Sequence, residues 1–190
     1  MKRWKILICA LLVVSVSFSG GVWVGIRLDP GVDPQNHIAT VFTPYDDGLS
    51  EYLRLLDRAQ HSVHIAAYSF THPAITDKLI ELKEKRGVTV RVILDLSQSR
   101  NSHEQAQIER LRRAGIEVVI GKSAAYGQIM HHKYTIVDGL WVYSGSWNFS
   151  KSANKQANFL DFIGSPRRAR LFLKNWQQMY DFITSKPPSP

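Results

Sequence analysis

The chain has 190 residues, of which 44% are hydrophobic and 21% charged, an ordinary globular composition that excludes disorder as the main state. Its length favours a single domain, because typical domains hold roughly 100–200 residues. The single cysteine excludes an internal disulfide framework and a cysteine-rich zinc site. A formal net charge of +8 indicates a polyanionic partner.

The amino terminus differs in composition from the rest of the chain. Lys2, Arg3 and Lys5 precede a charge-free apolar run at residues 6–18, and small residues follow at 19–21. This order predicts that residues 1–27 are a secretory signal peptide. The remaining chain would then be exported to the periplasm or to the outside of the cell.

The alternative is an uncleaved membrane anchor. The charge-free stretch covers residues 6–26, and its 21 residues are long enough to span a bilayer. The positive-inside bias would then hold the domain outside the cytoplasm, attached through this stretch. In both cases residues 1–26 supply three of the eight net charges, so the rest of the chain carries +5. A linker rich in Pro, Gly and Asp follows at residues 28–38.

Strand and helix patterns alternate after the linker. Apolar residues at helical spacing, with end signals at Asp46, Asp47, Pro73 and Gly87, predict the first two helices. The predicted elements are strand 39–43, helix 49–59, strand 63–70, helix 73–86, strand 88–94, helix 104–114, strand 116–120, a hairpin of 134–137 and 140–144, strand 159–163 and helix 166–183. This order predicts an α/β domain at residues 39–184, with a mixed, mostly parallel sheet flanked by helices, and a tail at 185–190.

The residues that could carry chemistry cluster around the predicted hairpin. His131 and Lys133 share one face of its first strand, because side chains two residues apart point the same way. The antiparallel return brings Gly145, Ser146 and Asn148 close to them, and the glycine lets the backbone approach a ligand closely. An imidazole, an ammonium, an amide and a hydroxyl with no carboxylate among them predict a site for a phosphate diester.

These residues resemble the signature of the phospholipase D superfamily, His-x-Lys-x4-Asp-x6-Gly-Ser-x-Asn. Every spacing is kept by His131, Lys133, Asp138, Gly145, Ser146 and Asn148. Segments 41–44, 66–71 and 87–95 are similar to strands of the small, single-motif bacterial endonucleases of that superfamily. The resemblance covers residues 39–182 and implies a phospholipase D/nuclease-like fold that forms half of a sandwich.

The resemblance implies a phosphodiesterase that needs neither a metal nor another cofactor. His131 would attack phosphorus and form a phosphohistidine, while Lys133, Ser146 and Asn148 would bind the phosphate. A second histidine would protonate the leaving oxygen. Because the chain carries one motif, a symmetric homodimer would supply that histidine. The sequence agrees about the metal, since it has no His-Glu-x-x-His motif and no acidic cluster typical of Mg²⁺ or Zn²⁺ hydrolases.

The sequence departs from the family at one position. In the family's nucleases, a Glu that follows the Gly-Ser-x-Asn segment is expected to orient the catalytic histidine. The corresponding segment here, residues 154–161, contains no Glu. Gln156 and Asp161 are the candidates to replace it, and the departure questions the rate of catalysis.

Three further residues have alternative roles. Asp138 either serves the Asp-Gly turn or, as in the family, holds the lysine or the backbone. Tyr126 and Trp147 could stack on nucleic-acid bases, although Trp147 fits core packing equally well.

The favoured function is that of an exported endonuclease of low specificity that acts on DNA or RNA. Basic runs on two predicted helices, at residues 110–113 and 167–174, leave room for contacts to a phosphate backbone. The first alternative is a phospholipase that cleaves a lipid headgroup. The second is a catalytically weak nucleic-acid-binding module, which the missing Glu motivates.

Overall fold

The computed structural model describes residues 37–185. The predicted leader, residues 28–36 of the linker and residues 186–190 of the tail lie outside the described residues. The elements are β1 (His37–Thr43), α1 (Gly48–Asp57), β2 (Ser62–Ala67), α2 (Pro73–Arg86), β3 (Thr89–Asp95), α3 (Ser102–Arg113), β4 (Glu117–Gly121), β5 (Lys133–Val137), β6 (Trp141–Gly145), β7 (Asn158–Gly164) and α4 (Pro166–Thr184). All predicted helices and strands are confirmed, with bounds that shift by a few residues. Within this range no helix is long and apolar enough to cross a membrane.

The seven strands form one sheet in the order β1-β7-β6-β5-β2-β3-β4. β2 pairs with β3, and β3 with β4, in parallel, as helical crossovers require. The other four pairings are antiparallel. The predicted mixed α/β sheet is confirmed, but its pairings are mostly antiparallel rather than parallel. The reason is that, in the described part of the chain, no α-helix separates β4, β5, β6 and β7, so each of these strands runs opposite to the one before it, and β1 adds to the sheet antiparallel to β7.

Helices cover both faces of the sheet. One core lies between the sheet and α1, α2 and α3, and it includes Leu79 and Leu111. The other lies between the sheet and α4 around Trp176, whose indole Nε1 donates to the carbonyl of Ile65 at 2.9 Å. Side chains alternate along a strand, so Ile65 and Ala66 contribute to different cores.

Local signals set the ends of the elements. The carboxylate of Asp47 caps α1 by accepting a backbone hydrogen bond, and Pro73 begins α2. Gly87 ends α2 in the left-handed conformation at φ 66°. Asp138 and Gly139 both have positive φ, 53° and 64°, which a two-residue turn of the primed type requires between β5 and β6.

Candidate active site

The motif residues meet at one edge of the sheet. The parallel strands β2 and β3 end at this edge, and β5 begins there with Lys133 beside the last residue of β2. His131 lies two residues before Lys133, and the backbone of the intervening His132 is held where Tyr68 N donates to His132 O at 2.8 Å. Ligands of α/β proteins bind outside the carboxyl ends of parallel strands, so the fold itself favours a site at this edge.

The imidazole of His131 contacts the ammonium of Lys133. Lys133 Nζ lies 3.2 Å from His131 Nε2 and donates to the carbonyl oxygen of His131 at 3.1 Å. An ammonium has only donors, so the contact requires Nε2 to accept and to carry no proton. The imidazole is exposed and Lys133 is half-buried, so a ligand can reach both groups.

The ring of Tyr68 forms a wall beside this pair. The Tyr68 ring meets the His131 imidazole edge-on, with ring centroids 4.5 Å apart. Lys133 Nζ lies 4.9 Å from the centroid of the Tyr68 ring. A cation over an aromatic face is stabilised by about 0.5–1 kcal/mol at an accessible site. The Tyr68 hydroxyl accepts from Gln98 Nε2 at 3.0 Å, and this hydrogen bond fixes the orientation of the Tyr68 side chain.

A buried carboxylate ends β3 behind the pair. Asp95 is fully buried, and its Oδ2 accepts from Met130 N at 2.8 Å. Its Oδ1 accepts from the backbone N–H groups of Ser97 and Gln98. Asp95 thus holds the chain that leads into His131.

The surroundings of His131 favour its neutral form. Desolvation lowers the pKa of His131 below its usual 6.5, and the charge of Lys133 lowers it further. The carboxylate of Asp95 acts in the opposite direction and raises that pKa. An imidazole that is unprotonated near neutral pH is competent as a nucleophile, and the adjacent cation can bind an anion.

Gly145 and Ser146 serve the neighbouring strand β7. A Cβ at position 145 would lie 2.2 Å from Phe159 O, so only glycine fits, and the close approach is to β7 rather than to a ligand as expected. The Ser146 hydroxyl accepts from Phe159 N and donates to Asn158 Oδ1, both at 3.1 Å. The Ser146 hydroxyl proton is therefore engaged in a hydrogen bond within the protein, and this hydrogen bond fixes the start of β7.

Asn148 borders a polar pocket, and Tyr68 forms another part of the same lining. Within residues 37–185, its buried Oδ1 has no hydrogen-bond partner. Leaving such an oxygen unpaired costs about 1–3 kcal/mol. A ligand that donates a hydrogen bond at this point would recover that free energy.

Asp138 lies away from this cluster. It follows β5 at the opposite edge of the sheet, about 16 Å from Lys133 along the strand. Its carboxylate accepts from the backbone N–H groups of Gln60, His61 and Ser62, each at 2.8 Å. Of its predicted roles the structure thus shows the turn and the backbone contact, and it does not bring Asp138 to the imidazole.

Trp147 is fully buried, and its Nε1 donates to Asn154 Oδ1 at 3.0 Å. The predicted stacking of Trp147 on a base is wrong, because its ring packs against Tyr52 and Phe149 in the core. Tyr126 is 99% exposed in the loop between β4 and β5. Stacking by Tyr126 stays a prediction.

The two candidates for the missing Glu lie in different surroundings. Asp161 is in the middle of β7 and accepts from Thr40 Oγ1 at 2.9 Å, whereas Gln156 lines the polar pocket. The carboxylate whose charge acts on His131 is Asp95. The motif does not include Asp95, which the sequence places only at the end of the segment 87–95. The available signal was a charged residue that closes an apolar strand at the carboxyl edge of the sheet.

The arrangement defines a class of site. An unprotonated imidazole beside a cation at the carboxyl edge of an α/β sheet suits a tetrahedral anion that undergoes nucleophilic attack at its centre. Among residues 37–185, no three His, Cys, Asp or Glu side chains come together in a way that could hold a metal ion. The pairing of His131 with Lys133 is a feature of a phosphodiester-cleaving protein.

The chain belongs to the phospholipase D superfamily of phosphodiesterases. A family profile described as "Cardiolipin synthase, PLD-like domain" matches residues 52–179. The resemblance drawn from the motif is thereby confirmed for the superfamily.

Curated relatives carry two kinds of name. The chain is 32% identical over 156 residues to a mitochondrial cardiolipin hydrolase of Chlamydomonas reinhardtii, covering 81% of this chain and 66% of that protein. It is 33% identical over 144 residues to a phospholipase D of Rickettsia felis, covering 75% and 68% respectively. The chain thus spans about two thirds of the length of these relatives.

Two solved structures share the fold over nearly their whole length. The phospholipase D family member Nuc from Salmonella typhimurium superposes with a TM-score of 0.70 at 31% identity, covering 75% of this chain and 93% of Nuc. NucT from Helicobacter pylori superposes with a TM-score of 0.68 at 28% identity, covering 75% and 94%. Both confirm the mixed α/β fold of the domain.

Proposed function

We propose that the protein is a metal-independent phosphodiesterase that hydrolyses nucleic acid, an endonuclease of low specificity that acts through a phosphohistidine. The contact between the unprotonated Nε2 of His131 and the ammonium of Lys133 carries the proposal. It joins a nucleophile to a group that neutralises a phosphate oxygen. The likeness to Nuc and NucT over most of their length supports nucleic acid as the substrate.

The proposed reaction has two steps. Lys133 moves from Nε2 to a non-bridging oxygen, Asn148 binds the phosphate, and His131 Nε2 forms a bond to phosphorus while the bond to the leaving oxygen breaks. A second histidine donates the proton that this oxygen takes up. That histidine then accepts a proton from water, whose oxygen displaces His131 Nε2 and yields the phosphomonoester.

The second histidine is proposed to be His131 of another copy in a symmetric homodimer. An exposed aromatic pair adjoins the site and would form part of the dimer interface. Phe42 and Phe159 are cross-strand partners with 56% and 46% of their surface exposed. The backbone of Phe159 exchanges hydrogen bonds with Ser146, so this patch is continuous with the motif. Exposed apolar groups next to half of a site are suited to burial against a second copy.

A phospholipase is the second candidate, and the names of the curated relatives favour it. A catalytically weak nucleic-acid-binding module is the third, because no Glu occupies the family's position. The basic balance of the chain fits all three candidates, since both nucleic acid and phospholipid surfaces are anionic.

Export of the domain is also proposed. Residues 1–27 would act as a signal peptide, with cleavage after Ser19 or Gly21, or would remain as an anchor. Amino-terminal sequencing of the protein from a cell fractionation distinguishes the two. A new terminus at residue 20 or 22 in the soluble fraction supports the signal peptide, whereas an intact Met1 in the membrane fraction supports the anchor.

The decisive experiment incubates the purified protein in EDTA with plasmid DNA, with RNA and with cardiolipin vesicles. Cleavage of nucleic acid that His131→Ala abolishes is expected, while the matched variant of the adjacent exposed histidine, His132→Ala, stays active. Headgroup release with intact plasmid would support the lipase. Binding of nucleic acid without turnover would support the module, and activity restored only by added metal would refute metal independence.

A further inference from the structure

A pocket with a volume of about 610 Å³ adjoins the candidate active site. It lies between the start of α3, the segment before α2 and the loop that follows β6. Pockets that bind small organic ligands have volumes of about 300–1,000 Å³, so a group of the size of a nucleotide fits.

The lining of this pocket is polar and lacks acidic groups. Of its fourteen residues only Pro73 and Ala106 are apolar, and none is Asp or Glu. Five carboxamides line it, those of Gln98, Asn101, Gln107, Asn148 and Gln156. A carboxamide both donates and accepts hydrogen bonds, as the edges of nucleobases do.

The charge of the lining also selects among ligands. Lys151 is its one lysine or arginine, and it faces the pocket from the loop after β6. A cation without a competing carboxylate in the lining favours an anionic ligand. An acyl chain would gain less here, because its burial is driven by apolar contact and most of the lining residues are polar.

Two residues connect the pocket to the active site. Tyr68 lines the pocket and also contacts His131 and Lys133, and Asn148 is both a motif residue and part of the lining. The buried, unpaired Oδ1 of Asn148 adds an acceptor at the junction. A substrate whose phosphorus lies next to His131 therefore has its neighbouring group at the mouth of the pocket.

We propose that this pocket binds the nucleotide that flanks the scissile phosphodiester, with the base inserted among the carboxamides. The proposal rests on the proposed nuclease function and names the part of the substrate that the pocket recognises. A base must leave its stack to enter, so the flanking nucleotide is unpaired when the bond is cut. Annealing of a complementary strand is expected to slow cleavage.

The test compares two substrates of equal length and charge, a short single-stranded oligothymidylate and the same sugar-phosphate strand without bases. Base contacts contribute about 1–3 kcal/mol, so kcat/KM for the oligothymidylate should be at least about fivefold higher. Ala106→Trp fills the pocket from an exposed position on α3. It should remove this advantage and leave the rate on the base-free strand unchanged. Gln105→Trp, at an adjacent exposed position outside the pocket, is the matched control and should retain it.

The outcomes separate this proposal from the proposed function. If the wild-type protein cuts neither strand, the nuclease function fails. If it cuts both strands equally, or if Ala106→Trp slows both equally, the nuclease function stands and the nucleotide pocket is refuted. If Ala106→Trp instead slows hydrolysis of cardiolipin vesicles and leaves oligothymidylate cleavage unchanged, the pocket takes a lipid headgroup and the proposal is overturned.

Discussion

At the scale of single residues, the state of His131 depends on groups from three strands. Lys133 of β5 touches its Nε2, Tyr68 follows β2 and packs against its ring, and Asp95 at the end of β3 accepts from the backbone of the preceding Met130. Asp95 favours protonation of His131, because its carboxylate raises the pKa of His131, whereas the charge of Lys133 lowers that pKa. It also fixes the backbone of Met130. We therefore regard Asp95 as a positioning residue.

Asp95→Asn tests this role. The amide removes the negative charge, so the pKa of His131 should fall further, and protonation should inactivate the nucleophile only at lower pH. The acidic limb of the kcat/KM profile is expected to move to lower pH, and the rate should fall at all pH values because Met130 N loses its acceptor. Asp77→Asn, an exposed α2 residue paired with Arg110, is the control. An unmoved acidic limb with only lower stability would reduce Asp95 to a structural residue.

Asp138 should act on stability and not on chemistry. Asp138→Ala leaves three backbone N–H groups without their acceptor and places alanine at φ 53°. A loss of about 3 kcal/mol in the free energy of unfolding is expected, measured by urea denaturation. The kcat of the folded variant at low temperature should stay within about twofold of wild type. Asp138→Asn should recover part of the stability, because asparagine tolerates positive φ. A large drop in kcat at unchanged stability would contradict this prediction and show that Asp138 takes part in catalysis.

At the scale of elements, the sequence predicted what depends on neighbours in the chain. The cap at Asp47, the proline at the start of α2 and the glycine at its end act within one helical turn. His131 and Lys133 could be joined for the same reason, because they lie two residues apart. Strand order could not be predicted, since it depends on how hydrogen bonds form between distant segments.

The same limit explains the errors at the site. Tyr68 reaches His131, and Asp95 reaches Met130 beside it, across more than thirty residues of sequence, and the spacing of the motif does not record these contacts. Trp147 sits inside the motif but packs in an aromatic core, where it meets Tyr52 of the distant helix α1 as well as its near neighbour Tyr143. Spacing identified the family of the site, and packing decided which side chains face a ligand.

Helix α3 carries a second buried carboxyl with a measurable effect on stability. Glu104 is fully buried, one oxygen accepts from Phe70 N at 3.0 Å, and the other has no partner among the described residues. Burial raises the pKa of Glu104 from 4.5 to about 7. The folded protein therefore binds a proton at Glu104 more tightly than the unfolded chain does. The stability that comes from this protonation is fully present below pH 4.5 and is lost as pH rises through about 7.

Urea denaturation at pH 5 and pH 8 tests this effect. The free energy of unfolding of the wild type should fall between these values, by up to about 3 kcal/mol for a change of this size in pKa. The variant Glu104→Gln cannot ionise at this position, so its free energy of unfolding should decrease less between pH 5 and pH 8 than that of the wild type. Equal falls in the wild type and the variant would show that Glu104 does not titrate in this range.

At the scale of the whole molecule, one domain presents one nucleophilic histidine, whereas the proposed reaction needs a second group to protonate the leaving oxygen. The exposed pair of Phe42 and Phe159 lies next to the motif and offers a surface for another copy. Phe42→Asp should therefore convert a dimer to monomers in analytical ultracentrifugation and remove activity. Leu171→Asp, at a position 65% exposed on α4, is the control and should leave both unchanged. A fully active monomer would refute the dimer.

A heterodimer decides whether the two copies share one reaction. Wild-type and His131→Ala chains with different tags can be coexpressed and the mixed dimer isolated by tandem purification. Independent sites would leave half of the wild-type activity. If one His131 attacks phosphorus and the other protonates the leaving group, the mixed dimer lacks one of them in every encounter, and its rate should fall by at least about a hundredfold. The same preparation should still bind the oligothymidylate strand, because Lys133 and Asn148 remain in both copies. Loss of turnover with retained binding would therefore assign the defect to the missing proton donor or nucleophile, whereas half activity would show that each chain completes the chemistry alone.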